Sequence, residues 1–292
     1  MRLFSEYHPV VCAVYFLAVA GIAMFCFHPI ILVTSLVGAV LWFLVRNGKN
    51  EVRSHLWFAL LFAVSAIINP LVSHNGVTVL FVINDSPITA ESAVYGLVAA
   101  TMILAVLYWF RSLTQIMTAD KLLCLFARLS PKLALVLSMG LRYVPLFTAQ
   151  AKKIDRAQTG LGLYKEDNWI DRVRGKLRVF SVLITWALEN GIVTADSMTA
   201  RGYGVGRRTQ FSVFRFRRAD AAMLVLILAL SALPVAAMVS GALTFSCYPA
   251  IVWPPVTPMS AAACIAYGLL AFLPTLTEVE ETIKWKYLTS KI

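Results

Sequence analysis

The chain predicts an all-α polytopic membrane protein, with about six transmembrane helices and a cytoplasmic domain of amphipathic helices inserted before the last two spans. Three observations carry that fold class. The 292 residues are 59% hydrophobic and 14% charged, well beyond the roughly 45 to 50% apolar content of a soluble domain. The cations are clustered, since 19 of the 26 Lys and Arg residues fall between Arg111 and Arg218, alongside seven acids. No Lys or Arg occurs from Leu3 to Val45, from Ser54 to Phe110 or from Ala219 to Ile283.

The spans lie in those three cation-free stretches. Apolar runs at Val10 to Phe27, Pro29 to Val45, His55 to Val72, Ser92 to Phe110, Ala221 to Leu243 and about Val252 to Leu273 approach or reach the roughly 17 to 25 residues that cross a bilayer. Pro254, Pro255 and Pro258 interrupt the start of the last. With Met1 in the cytoplasm, six crossings put Arg46 to Arg53, the 111–218 block and Lys284, Lys286 and Lys291 on one side. The opposite loops, around His28, from Ser73 to Glu91 and from Thr244 to about Ile251, then contain no Lys or Arg, as the positive-inside rule requires. The first helix is read as an uncleaved span, because no small-residue cleavage site precedes the near-immediate second one. Three regions follow: an N-terminal membrane domain over 1–110 with about four spans, a cytoplasmic domain over 111–218, and a C-terminal membrane segment over 219–292 with about two spans and a basic tail.

Several function classes lose support from what these regions lack. Apart from edge positions such as His55 and Glu91, the spans hold no ionisable residue other than Tyr and Cys. Ion-coupled transporters and proton relays place charged or His side chains at the midplane. His8, His28, His55 and His74 form no His-Glu-x-x-His or other i, i+4 pair, so a catalytic metal has no ligand set. Cys12, Cys26, Cys124, Cys247 and Cys264 are widely spaced with no Cys-x-x-Cys pair, and read as small apolar packing residues. Gly202, Gly204 and Gly206 do not form a Walker loop, because they follow a helical stretch and lack the Lys. If ATP drives the protein, another chain binds it, and this chain carries no cofactor and no catalytic residue. The basic block is interleaved with long apolar faces, which a nucleic-acid groove does not need.

The basic block reads as three helices. Lys121 to Leu129 sets Leu122, Leu125, Phe126 and Leu129 at i, i+3, i+4 and i+7, with Lys121 and Arg128 off that stripe. Ser130-Pro131 starts a second helix that runs to about Gly160, with a bend expected at Pro145. A third runs from about Trp169 to Ala200. Both longer helices finish in glycine, Gly160 or Gly162 and Gly202, which suits a left-handed C-terminal cap, and Arg201 complements the negative helix end. Such long apolar faces outside the spans need a partner or the bilayer surface. Glu189 and Asp196, seven apart, share one helix face and either pair with a neighbouring helix or stay solvated.

Ser197-Met198-Thr199-Ala200-Arg201-Gly202-Tyr203-Gly204, followed by Arg207-Arg208-Thr209, resembles the Ala-Arg-Gly signature of the transmembrane T component of energy-coupling factor (ECF) transporters, the EcfT/CbiQ family. The resemblance covers about residues 5 to 220. It implies a bundle of spans carrying cytoplasmic coupling helices, two of whose ends insert into grooves on two ABC-type ATPase domains. A separate small membrane protein, the S component, would capture a vitamin or transition-metal ion and dock on those helices. ATP and magnesium would sit on the partner ATPases. The implied location is the plasma membrane of a prokaryote, with both termini and the coupling domain cytoplasmic.

Ala200, Arg201 and Gly202 match the second motif of the family, with Tyr203 expected to pack at the rim of its groove. The first motif departs from the pattern. Where the family usually reads Ala-Gln-x-Ala-Arg-Gly, this chain has Ala157-Gln158-Thr159-Gly160-Leu161-Gly162, so Leu161 stands where an Arg is expected. A charge-assisted contact there gives way to an apolar one, and the two ATPase domains are expected to differ from each other. Two other classes compete: a membrane scaffold or receptor whose basic helices bind anionic lipid without any ATPase, and an ion-coupled secondary transporter.

Overall fold

In hydrocarbon the backbone must satisfy its own polar groups, and a single apolar run can do so only as a helix. Each predicted run is one. The computed structural model describes residues 4–47, 51–73, 76–83, 86–163, 169–206 and 214–289. A short 3-10 turn at Phe4–Glu6 leads into α1 (Pro9–Phe25), α2 (Pro29–Asn47) and α3 (Val52–Val72). A β-hairpin of β1 (Val79–Ile83) and β2 (Ser86–Thr89) follows, then α4 (Ala90–Ile116), α5 (Ala119–Leu129), α6 (Pro131–Gly160), α7 (Trp169–Ala200), α8 (Arg218–Val239) and α9 (Pro258–Thr289). Two units result, one of Met1–Leu122 with Phe214–Ile292 and one of Leu123–Val213.

Seven of the described helices, α2, α3, α4, α6, α7, α8 and α9, are long and apolar enough to cross a membrane, and α1 is a shorter apolar helix. The chain is thus an all-α polytopic membrane protein with about six spans. In α6 and α7 none of the apolar window is buried, and charges such as Arg142, Lys152, Arg174 and Glu189 interrupt both.

Within the first unit α1 is central. Val11, Cys12, Tyr15, Phe16, Val19 and Ile22 are all buried, in a cluster with Trp42 of α2, Trp109 of α4, Ile227 of α8 and Tyr267 of α9. Lipid is as apolar as these side chains, so association rests on close packing and on interhelical hydrogen bonds. The packing is tightest at glycines. A Cβ on Gly38 would lie 3.0 Å from the Ala271 Cβ, and one on Gly96 would lie 2.9 Å from the Ala66 carbonyl oxygen. Gly38 therefore sets the α2–α9 distance and Gly96 the α3–α4 distance. Buried polar groups link the same helices. Tyr267 donates to Ser35 Oγ at 2.8 Å, Trp109 Nε1 donates to Ser35 Oγ at 3.0 Å, and Tyr15 donates to the Leu270 carbonyl at 3.1 Å.

Each end of the bundle has its own fastenings. The buried Asp220 carboxylate accepts from the Arg217 and His8 backbone N–H groups, at 2.8 and 3.1 Å, tying the start of α8 to the start of α1. Arg46 closes α2 on α9 through Glu278 at 3.0 Å. The hairpin is fastened to α4 through Glu91, which accepts from the Thr78 N–H and hydroxyl.

Three features differ from the sequence expectation. The segment 73–91, read as a loop, forms the hairpin, because Val77-Thr78-Val79-Leu80-Phe81-Val82-Ile83 is rich in residues that favour strands. The last span begins at Pro258 rather than near Val252, since the earlier prolines cannot continue a helix. Lys121, expected off the apolar stripe of α5, is buried and donates to the Ser5 carbonyl, and desolvation lowers its pKa below the ordinary lysine value. α6 carries Pro145 in its interior, where the sequence places it.

Candidate functional site at two matched helix ends

In the second unit α6 and α7 pack on each other. Tyr143 and Thr194 hydroxyls meet at 3.1 Å, Phe147 contacts Trp186 edge-on at 5.9 Å, and Tyr143 stacks on Phe147. Going up α6 from Tyr143 to Phe147 means going down α7 from Thr194 to Trp186, so the helices are antiparallel. Their C-terminal ends therefore lie on opposite sides of the contact. Along the axes that separation is about 24 Å to the end of α6 and about 17 Å to the end of α7, at 1.5 Å per residue. Gly175 and Val179 are buried on α7.

The two ends share one backbone geometry. At α6, Leu161 N–H donates to the Ala157 carbonyl at 3.0 Å, Gly162 to Thr159 at 3.0 Å and Leu163 to Gln158 at 3.2 Å. At α7, Arg201 N–H donates to Ser197 at 3.2 Å, Gly202 to Thr199 at 2.9 Å and Tyr203 to Met198 at 3.0 Å. The offsets are identical and define a Schellman cap, with the residue after the cap in the left-handed region. Gly162 has φ +65° and Gly202 φ +78°. A Cβ on either would meet nothing within 4 Å, so glycine is required by conformation rather than by crowding inside the chain.

Leu161 and Arg201 therefore occupy the same place on the same cap. Leu161 is 75% exposed, and Ala157, Gly160 and Gly162 around it are exposed as well. Gln158 differs: it is buried, and its Oε1 accepts no hydrogen bond among the described residues. At the other end Ala200, Arg201, Gly202 and Tyr203 are all exposed, as is Val205 at 86%. Among the described residues Arg201 makes no ion pair. Arg207, Arg208 and Thr209, which complete the second motif in sequence, lie outside the described residues.

Chemically, the α7 end presents a guanidinium beside apolar and aromatic groups, suited to a carboxylate in a partner's groove. The α6 end presents an isobutyl group of the kind that seats in an apolar pocket. Glu189 and Asp196 are exposed and form no ion pair among the described residues, which selects the solvated reading. No group of three or more His, Cys, Asp or Glu among the described residues could hold a metal ion. Of His55, sequence spacing showed nothing, yet its Nδ1 lies 2.7 Å from the Tyr108 hydroxyl.

The helix crossing was not anticipated from sequence, although Tyr143 and Phe147 at i, i+4 and Trp186 on the facing helix were visible as aromatic positions. The burial of Gln158 was missed as well. Its signal was weak, because a Gln near a helix end is ordinarily solvated.

Residues 2–213 match the CbiQ family, described as cobalt transport protein. The chain is 28% identical over 216 residues to an energy-coupling factor transporter transmembrane protein EcfT of Thermotoga maritima, covering 68% of this chain and 78% of that one. It is 35% identical over 104 residues to the EcfT protein of Listeria innocua, covering 35% of this chain and 39% of that relative's length. A Lacticaseibacillus paracasei EcfT is 34% identical over 91 residues, which is 34% of its length. The Listeria and Lacticaseibacillus matches thus span about a third to two fifths of those relatives.

Proposed function

The chain belongs to the EcfT/CbiQ family of ECF transporter transmembrane components, and we propose that it transmits ATP hydrolysis on partner ATPases to the uptake of a vitamin or transition-metal ion. As a membrane component of such a transporter it is a transport subunit and not itself a catalytic enzyme. The finer reading assigns residues 111–218 to a cytoplasmic coupling domain between the membrane segments 1–110 and 219–292. Both termini face the cytoplasm, and the membrane is the plasma membrane of a prokaryote.

One observation supports this above the others: Leu161 and Arg201 stand exposed on geometrically equivalent caps at opposite ends of an antiparallel helix pair. Two such ends suit two separate receptors. In this reading each cap seats in a groove of one ABC-type ATPase domain, Arg201 against a carboxylate and Leu161 in an apolar pocket. The two domains accordingly differ. Closure of the ATPases on ATP and magnesium moves the two caps, and the α6–α7 crossing converts that movement into a rotation of the pair. The exposed apolar faces of α6 and α7, among them Val136, Val144, Leu177 and Leu188, would receive the S component that holds the substrate.

Purification of the tagged chain in mild detergent from its native host, with mass spectrometry of what accompanies it, tests the assembly. Two different ATPase chains and a small apolar membrane protein are expected. A single homodimeric ATPase would sink the asymmetry, and no ATPase at all would sink the coupling role.

A further inference from the structure

We propose that the groove between the basic ends of α3 and α4 is a binding site for one anionic phospholipid. Because α2, α3 and α4 alternate in direction, Arg46, Arg53 and Arg111 come to the same end of the bundle. There Trp57 and Phe58 of α3 face Leu107 and Phe110 of α4 across a groove of about 490 Å³, with Arg111 and Ser54 at its mouth. Trp57 and Phe110 are 63% and 51% exposed, so the apolar walls are open along the direction a lipid chain takes.

The charge at the mouth favours an anion. The half-exposed Arg111 reaches Glu51 only at 3.6 Å, and Arg53, exposed and next in sequence to Ser54, adds a second cation at this end of α3, so the end of the bundle beside the groove carries two cations against one carboxylate. The Ser54 hydroxyl donates to Glu51 at 3.3 Å, so one carboxylate is shared between Ser54 and Arg111. A phosphate diester accepts several charge-assisted hydrogen bonds from a guanidinium, and Trp at the interface with an aromatic wall below suits a headgroup over its chain. A partner's transmembrane helix would fill the apolar part and leave Arg111 without a counter-ion other than Glu51. A lipid supplies both parts. This proposal requires only a membrane-spanning bundle, so it stands or falls apart from any role of Arg201.

The test is lipid-selective quenching of Trp57. The full-length chain is reconstituted in phosphatidylcholine vesicles containing brominated phosphatidylglycerol, and in parallel with brominated phosphatidylcholine at the same mole fraction. The difference between wild type and Trp57→Phe isolates the Trp57 signal. Trp57 should respond about fivefold more strongly to the anionic lipid, the preference expected from one basic residue at the membrane surface. Arg111→Gln should remove that preference and Arg111→Lys should keep most of it, with unchanged circular dichroism in both. Equal quenching by the two lipids overturns the site, as does no quenching by either, which means protein covers the groove. Loss of the preference on adding inorganic phosphate assigns the mouth to free phosphate and also overturns the lipid.

Discussion

The ends of α6 and α7 differ in side chain while their backbones superpose in hydrogen-bond pattern, Leu161, Gly162 and Leu163 answering to Arg201, Gly202 and Tyr203. The comparison separates two jobs that a short motif ordinarily fuses. The left-handed glycine stops the helix and projects the preceding residue, whatever that residue is. In the proposed coupling role, the projected side chain then sets the chemistry that a receptor has to match. An isobutyl group gains by leaving water, an effect proportional to area and not subject to ionic screening. A guanidinium gains by direction and charge, and is worth most against a desolvated carboxylate.

Reversing the charge at one end should break the comparison most severely. Arg201→Glu should lower substrate uptake and ATPase association by roughly a hundredfold or more, the scale for disrupting a buried charge pair at an interface. Expression and membrane insertion should be unchanged, because Arg201 is exposed and makes no ion pair among the described residues. Wild-type uptake in this variant would remove Arg201 from the site.

The glycines come next. Gly162→Val and Gly202→Val each force a β-branched residue into the left-handed region, at about 1 to 2 kcal/mol, and both have open surroundings. The two should therefore lower the thermal midpoint of the chain by the same amount. Uptake should fall by roughly tenfold at Gly202, the factor that 1.4 kcal/mol represents, and less at Gly162, where an apolar contact tolerates redirection. Unequal midpoints would show that the caps are not equivalent in solution.

Truncation at the apolar end should matter less. Leu161→Ala removes three carbons from a contact worth about 0.8 kcal/mol per buried methylene, so a five- to tenfold loss in ATPase association is expected if about half of that area is buried. Its salt dependence is the sharper readout. Raising ionic strength should weaken wild type and Leu161→Ala by the same factor, because screening acts on the Arg201 end alone. A Leu161→Arg chain that binds more tightly than wild type would mean that the receptors are alike after all.

Much of this was legible in the chain. The ends of α6 and α7 fall at Gly160 and Ala200 as expected, because Pro131, Gly162 and Gly202 are strong local signals that tertiary structure seldom overrides. The Leu161 departure was visible as well. What was not legible depends on contacts far apart in sequence. Lys121 reads as a solvated cation until Ser5 is brought to it, and the hairpin at 79–89 sits in a segment judged by its lack of cations rather than by its strand-forming residues. The start of α9 falls at Pro258, because Pro254 and Pro255 cannot continue a helix whereas Pro258 fits its first turn.

The antiparallel register of α6 and α7 was the least legible feature, and it decides whether the two caps act on separate receptors. It is held by side chains that include a single hydroxyl pair, Tyr143 with Thr194 at 3.1 Å. Removing one hydroxyl loses about 1 kcal/mol of net hydrogen bonding, with some further cost if the partner is left dry. Tyr143→Phe and Thr194→Val should each reduce uptake about threefold while leaving binding of the isolated ATPases at either cap nearly intact, since neither residue lies near Leu161 or Arg201. The double variant should be no worse than either single one, because both remove the same bond. Losses that multiply would place Tyr143 and Thr194 in different interactions, and the crossing would then hold through Phe147 and Trp186 alone. Losses confined to one cap would mean that the pair bends at the crossing, so that each end moves independently of the other.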